Sequence, residues 1–545
     1  VIAYGYRYGE VPLAKIAPVK SGTKITIKRR HNYEISRRGP ALVSLGSHVH
    51  GACLPHPDLD DLWTAVAGVR KRAAFAPPVP KKQLLMRLRS FVKKWIADNL
   101  VPLHADTDIT FETWLAKCPY PEWRKKELRA KWEACDNPFL KTYFRVSSFI
   151  KDESYVSYKH ARGINSRSDE FKCLVGPIFK AIEAVVYEDP HFIKHVPVCD
   201  RPKYILDMLY RENGKYYATD YTAFESLFTK EIMECVEFEL YDYMTKALPA
   251  HNWFMKICHT VLAGRNDCRF KDFKVKLNAT RMSGEMCTSL GNGFSNLMFM
   301  LFMCHEKGVD VDGVVEGDDG LFRIDGEAPT EEDFKQLGLV LKMEQHDSLA
   351  TASFCGIIFD EVDQKNITDP RVVLASFGWT TRQYARAKSA RLRELLRCKS
   401  LSLAYQYPGC PIISALADYG LRVTAGVDIT RVFEKDRGAY ANEWYRNRLK
   451  QAVSQFRNVP RAPVGIRTRL LMERMYGVPE FMQRSIEQYL DTLTVVQPLQ
   501  HPLLETIMAT EWKHYWDNYV TVDCGDNIMY PTHISASVPG FKREF

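Results

Sequence analysis

Three acidic residues raise the first chemical question. Asp220 closes Lys215-Tyr-Tyr-Ala-Thr-Asp220, a short β-prone run, while Asp318 and Asp319 lie in Gly317-Asp-Asp-Gly320 between the largely apolar stretches 313–316 and 321–324. The second pattern predicts a β-hairpin with both acids at its turn. A carboxylate at a strand end, facing two more on a neighbouring hairpin, suits Mg²⁺, which takes hard oxygen ligands and is held by one or two carboxylates plus substrate phosphates. Two such ions ~3.5–4 Å apart can stabilise both oxygens of an in-line displacement, the attacking 3′-hydroxyl and the departing pyrophosphate. This assigns metal binding and catalysis to Asp220 and Asp318 with Asp319 in support, two Mg²⁺ per site, and Mn²⁺ as a substitute. A Gly-Asp-Asp-Gly tip is also an ordinary turn, so its meaning depends on its neighbours.

Those neighbours include Arg281-Met-Ser283-Gly284, followed by Thr288, Asn292 and Asn296 at four-residue intervals. Such spacing puts the last three on one helix face, and Ser283-Gly284 is expected as a mobile loop at the helix start. Residues 297–304 are apolar throughout, which predicts burial, and polar side chains on a buried helix need hydrogen-bond partners. Two readings result. Ser283 is an N-cap with the amides bonded inside the core, or Ser283 and Asn292 engage the ribose of an incoming nucleotide with Glu225 as bridging acceptor. A 2′-hydroxyl donates and accepts, so the second site would prefer ribose to deoxyribose. After Asp220 a helix is predicted over about 226–248.

The rest of the chain must position these groups. Its 545 residues suggest three or four domains. With 46% hydrophobic and 26% charged residues, a disordered chain is excluded. The longest apolar run, 297–304, is far short of a membrane span. No charged-then-apolar leader opens the sequence, so no secretory signal is expected, and the start at Val1 suggests a trimmed product. The fourteen cysteines include no CxxC pair and read as reduced core thiols. A Pro-rich joint at 76–80 precedes a helical stretch over 81–135, with Trp95, Trp114, Trp123 and Trp132 as expected core anchors. Residues 214–360 alternate strand-like and helix-like segments, and the chain after about 368 reads as helical.

Charge is unevenly placed. The net charge is +9, yet residues 62–97 hold Arg70, Lys71, Arg72, Lys81, Lys82, Arg87, Arg89, Lys93 and Lys94 with no acid. A second stripe, Arg382, Arg386, Arg393 and Arg397 with Lys388, Arg391 and Lys399, has helical spacing. Each alone is an ordinary solvated face; together they predict a basic channel for a polyanion. Two potential zinc sets, His48/His50/Cys53/His56 and His191/His195/Cys199, are interrupted by prolines and match no common zinc spacing. Core or surface histidines are the expectation there.

Asp220-x4-Glu225, then Ser283-Gly-x3-Thr288-x3-Asn292, then Gly317-Asp318-Asp319, in that order, resembles motifs A, B and C of viral RNA-dependent RNA polymerases. The separations, 283 − 220 = 63 and 318 − 283 = 35 residues, also suit that family. A reverse transcriptase would carry Tyr-x-Asp-Asp and lack the Ser-Gly-Thr-Asn helix. Phe149-Ile-Lys151-Asp-Glu153 with Lys159-His-Ala-Arg162-Gly-Ile-Asn-Ser-Arg167 resembles motif F of tombusvirus-like and nodavirus-like plus-strand polymerases. That resemblance implies triphosphate contacts from Lys151, Lys159, Arg162 and Arg167, whose charges suit phosphates. The motif B likeness adds Ser283, Gly284, Thr288 and Asn292 to the nucleotide site. Gly338-Leu-Val-Leu-Lys342 resembles motif D, implying that Lys342 protonates pyrophosphate. Ser353-Phe354-Cys355-Gly356 resembles motif E, a grip on the primer strand. One departure is Glu225, where the family has Asp, one methylene shorter.

The resemblance implies an α+β right-hand polymerase with an antiparallel-sheet palm. Fingers would span 1–204 and an insertion at 249–280, palm 205–248 and 281–364, thumb and C-terminal region 365–545. Its expected partners are NTPs, an RNA template and the nascent strand, the last two gripped by Phe354, Cys355, Arg382, Arg386 and Arg393. Its expected task is copying a plus-strand viral genome in the host cytoplasm, at membrane-associated replication complexes reached through another segment, replicase subunit or host factor. Two rivals are a non-catalytic RNA-binding subunit and a metal-dependent nuclease; the nuclease leaves the Ser-Gly-Thr-Asn helix and the basic stretch 149–167 without a purpose.

Overall fold

A computed structural model describes residues 18–28, 41–135, 141–434, 443–456, 461–522 and 529–531. Val1 and the outermost parts of the expected fingers and thumb regions, 1–17 and 532–545, lie outside the described residues. Ten strands matter for the site: β1 (Lys24–Ile27), β2 (Leu42–Ser44), β3 (Arg145–Ile150), β4 (Gly163–Arg167), β5 (Tyr216–Tyr221), β6 (Arg265–Arg269), β7 (Phe273–Asn278), β8 (Asp310–Glu316), β9 (Asp319–Asp325) and β10 (Leu341–His346).

The centre is a four-stranded sheet, order β10-β5-β9-β8, with every pairing antiparallel. Its strands carry apolar residues on both faces, because successive side chains point to opposite sides. Tyr217, Val315, Phe322 and Ile324 enter one core, while Tyr216, Val314 and Leu321 enter another with Ile205 and Leu209 of the helix Arg201–Leu209. Each such side chain, fully buried, contributes roughly 1.5–3 kcal/mol. The first core is anchored by the helix Thr288–Lys307, whose residues Leu297 to Met300 are fully buried. Gly308 ends that helix in a left-handed conformation, φ 68°, which glycine adopts without steric cost.

The predicted helix over 226–248 is instead three short helices, Phe224–Leu227, Lys230–Cys235 and Glu237–Thr245. Val236, with φ −120° and ψ −82°, lies outside helical geometry and breaks the run. Ala223, at φ 50°, turns the chain sharply after β5 and so brings Glu225 back toward the strand end.

A second sheet has the order β1-β7-β6-β3-β4. The hairpin β6–β7 comes from the predicted insertion, and β6 runs parallel to β3, so residues 265–278 join strands from the N-terminal part of the chain. The helices Lys82–Asn99, Phe111–Lys117 and Glu122–Glu133 follow the predicted helical stretch. Trp114 is buried there, while Trp95, Trp123 and Trp132 are half-buried. The C-terminal part is mainly helical around its own core. Residues 41–54, expected with the N-terminal fingers, depart from that plan. Leu42–Ser44 pairs with Trp379–Thr381, and Leu45, Val49, Ala52 and Leu54 pack into the C-terminal core. Their apolar side chains find their partners there, 300 or more residues away in sequence.

Candidate active site

The hairpin β8–β9 pairs Glu316 directly with Asp319, leaving Gly317 and Asp318 as the two-residue turn. Gly317 has φ 62°, a backbone state that side chains resist and tight hairpin turns require. Asp319 is therefore the first residue of β9 and Asp318 stands at the tip. On the adjacent strand Thr219 pairs with Gly320, so the next residue, Asp220, reaches the same open end as Asp319. Lys342 is opposite Asp220 across the β10–β5 ladder and shares its face. The helix beneath fixes this end: Asn296 Nδ2 donates to the carbonyls of Gly317 and Asp319 at 3.2 and 3.0 Å.

Electrostatics confirms the crowding. Burial pushes the Asp318 carboxyl above its usual range, Glu225 and Asp220 add to that push, and Arg162 opposes it. Burial and Asp318, with Glu316 and Asp220, push Asp319 up to about 7, against a hydrogen bond from Cys355. Both side chains reach solvent at the surface of a recess. Arg201 pairs with Glu316 at 2.7 Å, which removes one carboxylate from the unneutralised set. Asp220, Glu225, Asp318 and Asp319 remain as hard oxygen donors with more negative charge than the protein balances. That set fits a divalent cation. Among the described residues, however, no group of three His, Cys, Asp or Glu is close enough to enclose an ion by itself.

A cavity faces this end of the sheet, lined by Lys151, Arg162, Glu225, Ser283, Thr288, Asn292 and Asp318, together with Arg72. Seven of the residues proposed from sequence thus share one space. Lys151 and Arg162 both pair with Glu153, at 2.8 and 3.6 Å. Lys159 lies over the Tyr155 ring, 4.8 Å from its centre. Burial and the cations Arg72 and Arg162 hold Lys159 below the usual lysine range, while Glu153 and Asp220 act the other way. The basic side of the cavity and its acidic side therefore sense each other directly.

Ser283 Oγ accepts from the Asn165 amide at 2.9 Å, and the Gly284 amide donates to the Asn165 carbonyl at 2.8 Å. This corrects two expectations. The segment is not a free loop but is bridged to β4, and Ser283 caps no helix, since the helix starts only at Thr288. Gly284 serves close packing: a Cβ there would meet the Asn165 carbonyl oxygen at 2.8 Å. Thr288 Oγ1 donates to the Met282 carbonyl at 2.9 Å, tying the loop to the helix.

Several expected ligands are placed elsewhere. Arg167 is buried, pairs with Glu285 at 2.6 Å and also donates to the Tyr143 carbonyl and Asn266. Its donors are used inside the protein, so it braces β4 and does not reach the cavity. Phe354 is buried in the core behind the sheet, because a large apolar ring gains more there than against RNA. Cys355 lies against Asp319 and Glu316. Arg382 pairs with Asp60 at 2.5 Å and precedes the helix Ser389–Gln406, so the second stripe is not one helix. Arg386 and Arg393 are exposed. Arg397 and Lys399 cap backbone carbonyls, and burial lowers Lys399 to about 8.

The zinc sets disperse as well. His48 bonds Ser44, His56 bonds Ser154 and Asp152, and Cys53 Sγ donates to a carbonyl. His50 meets Trp516 edge-on, and His195 packs against Tyr204. Burial raises the pKa of Cys199. His191 lies between Asp189 and Asp312, at 2.6 and 3.4 Å. Of the acid-free run, Arg72 lines the cavity, whereas Arg87 pairs with Glu306 and Arg89 and Lys93 with Glu239, docking their helix onto the core. Sequence reading missed Arg72 as a site residue, Glu153 as internal counter-ion, and the pairs Arg201–Glu316 and Arg281–Glu237. For Arg281 a signal existed, its place two residues before Ser283; for Glu237 there was none.

Residues 170–407 match the family described as viral RNA-dependent RNA polymerase. The match takes in Asp220, Glu225, the Ser283–Asn292 segment, Asp318, Asp319 and Lys342, and it leaves strands β3 and β4, with Lys151, Lys159, Arg162 and Arg167, outside. No curated protein matches the chain.

Proposed function

We propose that this chain is a viral RNA-dependent RNA polymerase, a nucleotidyltransferase by its domain at residues 170–407, with a right-hand fold, replicating a plus-strand RNA genome of the tombusvirus-like or nodavirus-like kind. Fingers at 1–204 and 249–280, apart from residues 41–54, which pack with the C-terminal part, palm at 205–248 and 281–364, and thumb at 365–545 are the proposed divisions. The shared sheet of β6–β7 with β3 and β4 supports the first grouping. The observation that carries the mechanism is the convergence of unneutralised carboxylates and a basic wall on one cavity.

Polymerases of this class generally use divalent ions; two Mg²⁺, or Mn²⁺, held by Asp220, Asp318 and Asp319 would stabilise the attacking and leaving oxygens. The chain's own residues do the rest. Lys151, Lys159 and Arg162 receive the triphosphate, and its oxygens replace those of Glu153 against Lys151 and Arg162. Ser283, Asn292 and Glu225 surround the ribose, while Thr288 and the Asn165 bridge hold Ser283 in place. Lys342, on the face of Asp220, supplies a proton to pyrophosphate. Arg386 and Arg393 offer exposed cations to RNA phosphates. Among the described residues no helix is long and apolar enough to cross a membrane. Recruitment to host membranes through another segment, replicase subunit or host factor is part of the proposal.

The test is a primer-extension and primer-free assay with NTPs, Mg²⁺ or Mn²⁺, and RNA templates of defined sequence. Products complementary to the template, absent without divalent ion, are expected. RNA retention without incorporation, or strand cleavage in its place, would overturn the reading.

A further inference from the structure

Behind the cavity is a buried ion pair that the proposed chemistry does not use. Arg281 is 1% exposed and Glu237 is fully buried. Arg281 Nη2 donates to Glu237 Oε1 at 2.5 Å, and Tyr241 donates to the other oxygen of Glu237 at 2.7 Å. The guanidinium lies over the Phe228 ring at 4.4 Å. Its Nε donates to Asn292 Oδ1 at 3.0 Å, and its backbone amide donates to the Glu225 carbonyl at 3.0 Å. One residue therefore holds both groups that face the ribose in the proposed site.

We propose that Arg281, clamped by Glu237, is the positioning residue for sugar selection. The reasoning is one of donor count. A guanidinium has donors only, whereas an amide has an acceptor oxygen and a donor nitrogen. Arg281 thus forces Asn292 to turn its oxygen inward, and the amide nitrogen is left for the cavity that Asn292 lines. A 2′-hydroxyl in that cavity accepts from Asn292 and donates its proton to the Glu225 carboxylate. A deoxyribose leaves the amide nitrogen without an acceptor in a desolvated site, which is the effective way to reject an analogue lacking a hydroxyl. The pair also fixes the helix that carries Asn292. A Cβ at Gly291 would lie 2.6 Å from both Arg281 Nη2 and Glu237 Oε2, so only glycine lets the helix approach this closely.

This inference depends on the ribose site proposed above, and one experiment separates the two. The ratio of kcat/KM for an NTP to that for its dNTP is measured for the wild type, Asn292→Ala, Arg281→Lys and the double variant, with thermal melting to verify folding. Lysine keeps a charge for Glu237, but its single nitrogen cannot stand in for the separate Nε–H that orients Asn292. Both single variants are expected to lower the ratio by about tenfold, and the double variant no further, because the two residues act as one unit. If Arg281→Lys does not fold, Gly291→Ala, which displaces the pair, is expected to give the same loss. A ratio that falls with Asn292→Ala but is unchanged in Arg281→Lys or Gly291→Ala overturns the positioning role and leaves the ribose site standing. A ratio unchanged in Asn292→Ala overturns both.

Discussion

The two sides of the cavity treat charge in opposite ways. At the strand ends Asp220, Asp318 and Asp319 crowd together, with burial and neighbouring carboxylates pushing Asp318 and Asp319 up and Arg162 as the opposing cation of Asp318. Behind the cavity Arg167–Glu285 and Arg281–Glu237 are matched one to one and buried to within a few per cent of zero exposure. A matched buried pair is a structural strut, since each charge is spent on its partner inside the protein. An unmatched set is unstable by itself and awaits charge from outside. The same rule sorts the cations: Arg162 is 43% exposed with a long contact to Glu153, while Arg167, on the same strand-and-loop segment, is sealed inside.

Breaking the unmatched side should have the largest effect. Asp220→Ala is expected to lower nucleotide incorporation by about a thousandfold or more with RNA binding nearly unchanged, read by primer extension and filter binding. Retained incorporation would show that the crowding at the strand ends is incidental. Breaking the matched side should act on folding. Arg167→Ala leaves Glu285 buried and unpaired and is expected to cost about 3–5 kcal/mol, measured by urea denaturation. Arg162→Ala sharpens the contrast: it should change stability by less than about 1 kcal/mol yet raise KM for NTPs about tenfold. Equal stability losses at positions 162 and 167 would erase the distinction.

The smallest effect concerns pH. Burial alone would depress His191, but hydrogen bonds and charge from Asp189 and Asp312 outweigh it and hold its pKa at about 9, above the ordinary 6.5. A raised histidine stabilises the fold fully below pH 6.5, and the contribution fades as pH rises through about 9. The His191 carbonyl also accepts from the Val315 amide, so the triad braces β8. Denaturation at about pH 6 and about pH 9.5 should show a loss of about 1–2 kcal/mol that His191→Gln removes. An unchanged pH dependence in that variant would assign the loss to other groups.

Much of the site was legible because its chemistry depends on local patterns. A turn with two acids, a strand ending in Asp220 and a helix with polar residues every fourth position are short-range signals. They placed Glu225, Ser283, Thr288, Asn292 and Asp318 around one cavity. What failed was partner choice over long range. Nothing near Arg167 in sequence announces Glu285, 118 residues on, and nothing near Phe354 announces a core behind the sheet. The basic run 62–97 looked uniform, yet Arg72 meets the cavity while Arg87 and Arg89 meet acids of distant helices. In the fold, a core of mixed strands and helices over 214–360 followed from alternation, while its antiparallel sheet followed from the family resemblance. The pairing of Leu42–Ser44 with Trp379–Thr381 did not, because only tertiary packing brings those segments together.

The most direct test of the central claim is templated incorporation of labelled NTPs by wild type and Asp318→Ala, side by side, with RNA affinity measured on the same preparations. Template-complementary product from the wild type, abolished in the variant at unchanged RNA affinity, is the predicted result. Undiminished synthesis by Asp318→Ala would contradict it.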